Sequence, residues 1–246
     1  MTDTAQSTGG DSANRTILIN FVLDRSGSMM GARDATISGF NEFKNDQTSE
    51  EGDAFFTLTL FDTQFDTVAA AVPVREVPDL DYSTYAPDGM TALYDAIGHT
   101  IRLTDDFVAA NKPDQVMFVI MTDGGENSSR EFSNRQIFDL IRDRQEHAEY
   151  EFIFLGANQD SYAVTQDMGM HAGRSVDFDA SAEGSAMAMK RASRNVSAHR
   201  RQGTKMRDDF FSAELEGLGA IEPEVWKRMT PEERKRHLDV GRGAGA

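Results

Sequence analysis

The chain has 246 residues, of which 39% are hydrophobic and 27% are charged, so it is long enough for one large domain or for one domain with an extension. It contains no cysteine, which excludes disulfides, thiolate catalysis and cysteine-based zinc sites. The formal net charge is −16, and residues 1–189 alone carry −20, which disfavours nucleic acids and anionic membranes as partners of this part of the chain.

Residues 190–207 differ from the rest of the chain, because they carry seven basic side chains and no acidic one. No aromatic residues are interleaved with these bases, so the segment lacks the pattern typical of nucleic-acid binding. We expect it to neutralise the acidic domain or an acidic partner.

The first residues, 1–14, are polar and lack the basic and apolar regions of a secretory signal. No apolar run approaches the roughly 20 residues that span a bilayer. The sequence therefore predicts a disordered N-terminus over 1–14, a cytoplasmic location and no membrane contact.

Hydrophobic patterning predicts an alternation of strands and helices. The run at 16–23 is short, apolar and rich in β-formers, as expected of a parallel strand that is buried on both faces. Apolar residues at helical spacing follow over 30–46. The runs 53–61 and 65–74 are predicted to form a hairpin at the sheet edge, where Pro73 is tolerated.

The second half continues the alternation and ends in a helix. The predicted elements are a helix at 91–110, a strand at 115–122, a helix at 133–148 with Ser133 as N-cap, a strand at 151–158, a short helix at 161–168, a strand at 174–179 and a helix at 180–200 that docks through Met187, Met189 and Val196. This order predicts an α/β fold with three layers, a doubly wound, mostly parallel sheet and one antiparallel edge strand. The predicted domain covers 15–202, and 203–246 form a helical, partly disordered extension.

Polar residues with oxygen side chains follow the predicted strands. Asp24, Ser26 and Ser28 come directly after the first buried strand, Thr91 precedes a helix, and Asp123 follows a later buried strand. Ligands bind outside the carboxyl ends of strands in open α/β sheets, so these oxygens are expected to meet there. Such hard ligands suit Mg²⁺, Mn²⁺ or Ca²⁺.

These five residues, in this order, resemble the metal-ion-dependent adhesion site of von Willebrand factor A domains, in which Asp-x-Ser-x-Ser, a Thr and an Asp-Gly come from three loops. The resemblance covers roughly residues 15–200. It implies that the two serines and the threonine contact the metal, that the aspartates often act through water, and that one position stays open for a partner's carboxylate.

The lack of a secretory signal favours the intracellular prokaryotic and phage-encoded members of this family over extracellular adhesion proteins, and the resemblance to them implies a metal-dependent adaptor that does not catalyse a reaction. The expected partner is a protein that supplies an Asp or Glu carboxylate, such as an AAA-type ATPase or an assembly component. The expected metal is Mg²⁺, with Mn²⁺ or Ca²⁺ as alternatives.

Two other functions fit the sequence less well. A structural or assembly role in a phage or virus particle would use the C-terminal extension as a tether. A Mg²⁺-dependent phosphoryl-transfer enzyme would use Asp24 as its nucleophile, but Ser26 stands where such enzymes of the haloacid-dehalogenase type need a second aspartate. No P-loop and no dinucleotide-binding glycine motif is present.

Several neighbouring residues have two interpretations. Asp88, Glu126 and Asn127 either line the rim of the site or cap its loops, and loop capping is the favoured interpretation. Arg25 is either a solvated side chain or a group that steers a partner's acid. Residues 158–160 also follow a predicted strand and are candidates for the groove.

Overall fold

Strands and helices alternate along the residues that the structure, a computed structural model, describes, which are 15–157, 161–171 and 174–202. Over these ranges the strands are β1 (Thr16–Asp24), β2 (Asp53–Phe61), β3 (Phe65–Pro73), β4 (Gln115–Thr122), β5 (Glu151–Ala157) and β6 (Ser175–Phe178). The α-helices are α1 (Arg33–Ser49), α2 (Leu93–Asn111), α3 (Asn134–His147), α4 (Ser161–Asp167) and α5 (Ala182–Gln202). The predictions for 1–14, 158–160 and 203–246 lie outside the described residues.

The strands form a single sheet in the order β3-β2-β1-β4-β5-β6. Every neighbouring pair is parallel except β2 and β3, which form the edge hairpin. The predicted fold class is therefore confirmed. The chain passes from β1 to one side and later returns on the other side as β4, so a crevice opens between the carboxyl ends of these two strands, where α/β sheets bind their ligands.

Helices cover both faces of the sheet, which explains the continuous apolar strands. On one face, Phe21 of β1 packs edge-on against Phe40 and Phe43 of α1, with ring centroids 5.4 and 5.1 Å apart. On the other face, Ile97 of α2 and Ile137 of α3 belong to a second fully buried cluster. These two cores hold the central strands, and with them the strand ends, in fixed positions.

The predicted helices differ from the structure in two details. The segment Gly27–Ala32 forms a 3-10 helix, so α1 begins at Arg33 and not at residue 30. Met189 and Val196 dock α5 as predicted, but Met187 is 67% exposed, so its predicted docking role is wrong. Ser133 caps α3 as predicted, within a capping box.

Within the ranges that the structure describes, none of the helices is both long enough and apolar enough to cross a membrane.

Candidate metal centre

Asp24 ends β1 with a fully buried side chain that is held at both oxygens. Its Oδ1 accepts a 2.6 Å hydrogen bond from the amide of Ser26, and its Oδ2 accepts a 2.5 Å hydrogen bond from the hydroxyl of Thr122, the last residue of β4. Burial raises the pKa of Asp24 to about 6, although the contacts with Thr122 and Ser26 partly oppose this increase. The carboxylate thus joins the ends of the two central strands.

The two serines link Asp24 to the second aspartate of the site. The hydroxyl oxygens of Ser26 and Ser28 lie 3.1 Å apart, and the Ser28 hydroxyl donates a 2.5 Å hydrogen bond to Oδ1 of Asp123. Partial burial raises the pKa of Asp123, while the Ser28 hydroxyl lowers it. A chain of hydrogen-bonded polar groups therefore runs from the end of β1 to the loop after β4.

Thr91 brings the third loop to the same place. A Cβ atom on Gly124, the residue after Asp123, would lie 3.7 Å from Oγ1 of Thr91 and 3.8 Å from Oγ of Ser28. The Thr91 side chain is buried, and its backbone is fixed from both sides because its amide donates to Oδ1 of Asn127 at 2.8 Å and its carbonyl accepts from the Asn127 amide at 3.0 Å. The structure thus brings all five predicted residues together around Gly124.

Backbone hydrogen bonds join the loop before α2 to the loop after β1. The amide of Gly27 donates to the carbonyl of Gly89 at 3.2 Å, and the amide of Asp88 donates to the carbonyl of Arg25 at 3.0 Å. Gly89 has a φ of +73°, which a residue with a Cβ rarely adopts, and a Cβ there would lie 2.6 Å from Oγ1 of Thr63. The loops therefore have little freedom to separate.

The flanking residues mostly cap loops, as the favoured interpretation predicted. The Glu126 carboxylate accepts a 3.0 Å hydrogen bond from the amide of Tyr94, in the first turn of α2, and a 2.7 Å hydrogen bond from the amide of Ser129 in its own loop. Asp88 accepts the amide of Gly89. The solvated interpretation of Arg25 is wrong, because the side chain is only partly exposed and forms a 2.9 Å ion pair with Asp62. The steering of a partner's acid by Arg25 stays a prediction.

Sequence reasoning missed two residues that hold the site. Thr122 was visible as a polar residue at the end of an apolar strand, and its position next to Asp123 was a usable signal. Tyr85 donates its hydroxyl to the carbonyl of Asp24 at 2.6 Å from an irregular stretch, where no periodicity marks a partner.

The donor set fits a hard divalent cation. Oxygens that share a Mg²⁺ ion at 2.0–2.1 Å in octahedral geometry lie about 3 Å apart, as the hydroxyls of Ser26 and Ser28 do at 3.1 Å. Within the described part of the chain, no group of three or more His, Asp or Glu side chains is placed to hold a metal, so hydroxyl oxygens would have to contribute to any site there. The five residues offer three hydroxyls and two carboxylates.

Comparisons with known proteins agree with this fold. Proximal thread matrix protein 1 from the mussel byssus is similar over 75% of this chain, with 13% identity and a TM-score of 0.54, and 47% of that protein is covered. The manganese-loaded TRAP protein of Plasmodium vivax is similar over 72% of each chain, with 16% identity and a TM-score of 0.50. The von Willebrand factor type A protein from Catenulispora acidiphila matches 76% of this chain and 43% of its own length, with 14% identity and a TM-score of 0.52.

These neighbours are proteins with von Willebrand factor A domains, and this chain has their fold. Another structure of the mussel protein has a zinc-occupied MIDAS motif, and the TRAP structure is loaded with manganese. This chain spans less than half of the mussel and Catenulispora proteins. No protein-family model matched the sequence, and no curated protein matched it.

Proposed function

We propose that this protein is a metal-dependent protein-binding module, which captures a partner's carboxylate through a divalent cation held by Asp24, Ser26, Ser28, Thr91 and Asp123. The observation that carries the proposal is the meeting of three loops that are distant in sequence, with Ser28 in contact with both Ser26 and Asp123. Thr91 completes the group beside Gly124. Mg²⁺ is the proposed ion, because it prefers oxygen ligands.

A divalent cation at this site would be about neutralised by the two carboxylates. Its open coordination position would still attract an anionic oxygen from a partner. The residues of this chain prepare that position. Thr122 and the Ser26 amide orient Asp24, and Asn127 fixes Thr91. The hydroxyls, which carry no charge, leave the centre able to accept the partner's acid.

The surroundings of Asp24 favour binding over catalysis. A phosphoryl acceptor must present a free carboxylate oxygen to its substrate. Asp24 is fully buried, and both of its oxygens already accept hydrogen bonds from Ser26 and Thr122, so it would support the cation through water, as the resemblance implies, and would not attack a phosphoryl group. This geometry favours a binding role over a phosphoryl-transfer role for Asp24. From the resemblance of the sequence, and not from the geometry, we further propose an adaptor of the intracellular prokaryotic or phage type that recruits an AAA-type ATPase or an assembly component in the cytoplasm.

Thermal unfolding of the full chain tests the metal site. Ligand that binds only the folded state stabilises it by mass action, so MgCl₂ should raise the melting temperature and EDTA should reverse the increase. Asp123→Ala should remove the response. Asp139→Ala, which alters an exposed carboxylate on α3, is the matched control and should respond as the wild type does.

A pull-down tests partner capture separately from metal binding. The full chain should retain a partner in MgCl₂ and release it in EDTA, and Asp123→Ala should retain none. The proposal would be contradicted if millimolar Mg²⁺ or Mn²⁺ left the melting temperature of the wild type unchanged.

A further inference from the structure

Three of the large apolar side chains that remain exposed come from the chain segments that lead into the loops of the candidate metal centre. Across the described residues there are five such exposed side chains, namely Met30, Tyr82, Met90, Leu103 and Met187. Met30, Tyr82 and Met90 are 53, 61 and 50% exposed and come from the two segments 27–33 and 81–90. Met30 follows Ser28 by two residues, and Met90 directly precedes Thr91. We refer to Met30, Tyr82 and Met90 as the apolar rim.

The two segments that carry the apolar rim contact each other. The amide of Gly27 donates to the carbonyl of Gly89 at 3.2 Å. Arg33 donates from its backbone amide to the carbonyl of Met30, and its guanidinium lies 4.6 Å from the ring centroid of Tyr82. The three side chains therefore belong to neighbouring loops beside one site.

Tyr82 is held in place although its ring is exposed. Its hydroxyl donates to Oδ1 of Asp34 at 2.6 Å, and its carbonyl accepts a 2.5 Å hydrogen bond from the guanidinium of Arg33. An aromatic ring that is already ordered loses little entropy when a partner covers it. Tyr and Met are enriched in protein interfaces, and exposed apolar groups that cluster mark such surfaces.

The charges around the apolar rim restrict the partner further. Asp34, Asp81 and Asp88 are exposed in or next to the same two segments, and residues 1–189 carry a net charge of −20. A partner with several adjacent acids would be repelled here, whereas one carboxylate can be compensated by the cation.

We infer that the apolar rim selects, among carboxylate-bearing partners, a protein segment in which a single Asp or Glu is flanked by large apolar side chains and by no second acid. The inference rests on the proposed function, since the cation would bind the partner's carboxylate and the apolar rim would contact the residues that flank it in the partner. Burial of a thioether against an apolar side chain of the partner is expected to tighten binding by about tenfold per contact.

The test uses the full chain and three short capped peptides that differ only beside a central Glu. The flanking residues are Leu on both sides, Ser on both sides, or Asp on both sides. Affinities are measured by fluorescence anisotropy in MgCl₂ and in EDTA, for the wild type and for Met30→Ser combined with Met90→Ser. Leu103→Ser, on the exposed surface of α2, is the matched control.

The expected result is that the Leu-flanked peptide binds at least about tenfold more tightly than the other two in MgCl₂. The double variant should lose this preference, while its melting temperature still rises with Mg²⁺. The control Leu103→Ser should keep the preference for the Leu-flanked peptide. Equal, metal-dependent binding of all three peptides would overturn the inference and leave the proposed function standing. Peptide binding that is unchanged in EDTA, or a wild type that binds no metal, would overturn both the inference and the proposed function.

Discussion

The phenolic hydroxyl of Tyr85 donates a 2.6 Å hydrogen bond to the backbone carbonyl of Asp24, at the point where β1 passes into the loop of the candidate metal centre. The two residues are far apart in sequence, and both are fully buried. The contact therefore fixes the direction in which the chain leaves the sheet.

Tyr85→Phe removes this hydrogen bond and leaves the shape of the core unchanged. A buried carbonyl that loses a donor costs about 1–3 kcal/mol, so the free energy of unfolding should fall by that amount. Urea denaturation measures the change. Tyr82→Phe removes the hydroxyl from an exposed tyrosine and should stay within about 0.5 kcal/mol of the wild type. Equal losses in the two variants would show that the contact with Asp24 contributes nothing special.

Asp24→Asn tests the cost of a buried charge. Burial raises the pKa of Asp24 to about 6, above its value in the unfolded chain, so the carboxylate that is ionised at pH 8 destabilises the folded state. The amide should therefore leave the metal-free protein as stable as the wild type or up to about 3 kcal/mol more stable. The Thr122 hydroxyl can turn to the carbonyl of Gly124, which lies 2.9 Å away, and so accommodate the amide.

The same variant should lose its response to Mg²⁺, since one of the two proposed carboxylate ligands is gone. Melting curves in EDTA and in MgCl₂ separate the two effects. A variant that is less stable than the wild type without metal, or that responds to Mg²⁺ as the wild type does, would be inconsistent with this account.

The meeting of the site residues was predictable because it follows from the topology. Asp24 and Asp123 end strands that are recognisable by their apolar runs, and parallel strands present their carboxyl ends on one side. The support of the site was predictable only in part. Loop capping by Asn127 was the favoured interpretation of the sequence, but Tyr85 contacts the site from an irregular loop, where neither spacing nor hydrophobicity distinguishes a supporting residue from a solvated one.

Gly124→Ala should weaken metal binding and leave the fold intact. Its methyl group would lie 3.7 Å from Oγ1 of Thr91 and 3.8 Å from Oγ of Ser28, which is ordinary van der Waals contact, but it would occupy the space between the hydroxyls. We expect an affinity loss of about tenfold or more, as for other changes next to a metal. Gly125→Ala, with nothing within 4 Å of its Cβ, is the control.

Calorimetric titration with Mn²⁺ measures this loss, and melting in EDTA checks the fold. If Gly124→Ala and Gly125→Ala bind Mn²⁺ equally well, the ion does not lie between Thr91 and Ser28.

Arg200 and Arg201 are adjacent on α5 but should contribute very differently to stability. Buried Arg200 donates to the carbonyl of Gln47, in the last turn of α1, at 2.6 Å and to the carbonyl of Gly52, in the turn that follows α1, at 3.3 Å. Arg200→Ala should cost about 1.5–3 kcal/mol or more, because these are charge-assisted bonds. The Arg201 side chain is mostly exposed and pairs with Glu50, so Arg201→Ala should cost at most about 1 kcal/mol.

Urea denaturation of both variants provides the comparison. Similar losses would mean that Arg200 does not hold α5 against α1.

The strands and helices were predictable to within a few residues, and the exception on α5 has a geometric cause. Met189 and Val196 are seven residues apart, which is close to two turns, so they share the buried face. Met187 precedes Met189 by two residues and therefore points to the opposite side of the helix. Its apolar character alone suggested docking, whereas its position in the helical period already indicated exposure.

His199 should make the stability of the fold depend on pH. Its side chain is buried on α5, and burial, together with the charges of Arg174 and Arg15, lowers its pKa to about 4. In the unfolded chain the pKa of a histidine is about 6.5. Between these values the unfolded state binds more protons than the folded state, so stability is lost as the pH falls. Between pH 7 and pH 5 this loss is about 2 kcal/mol.

His199→Gln removes the titrating group. Its amide oxygen can accept the hydrogen bond that the Nε2 atom of His199 receives from Nε2 of Gln115 at 3.2 Å. Urea denaturation of both proteins at pH 7 and pH 5 isolates the effect, because the carboxylates that also titrate are common to the two. The wild type should lose about 2 kcal/mol more than the variant over this interval. Equal losses would place the pKa of folded His199 near that of an unfolded chain, and the buried, neutral imidazole would not be a feature of this fold.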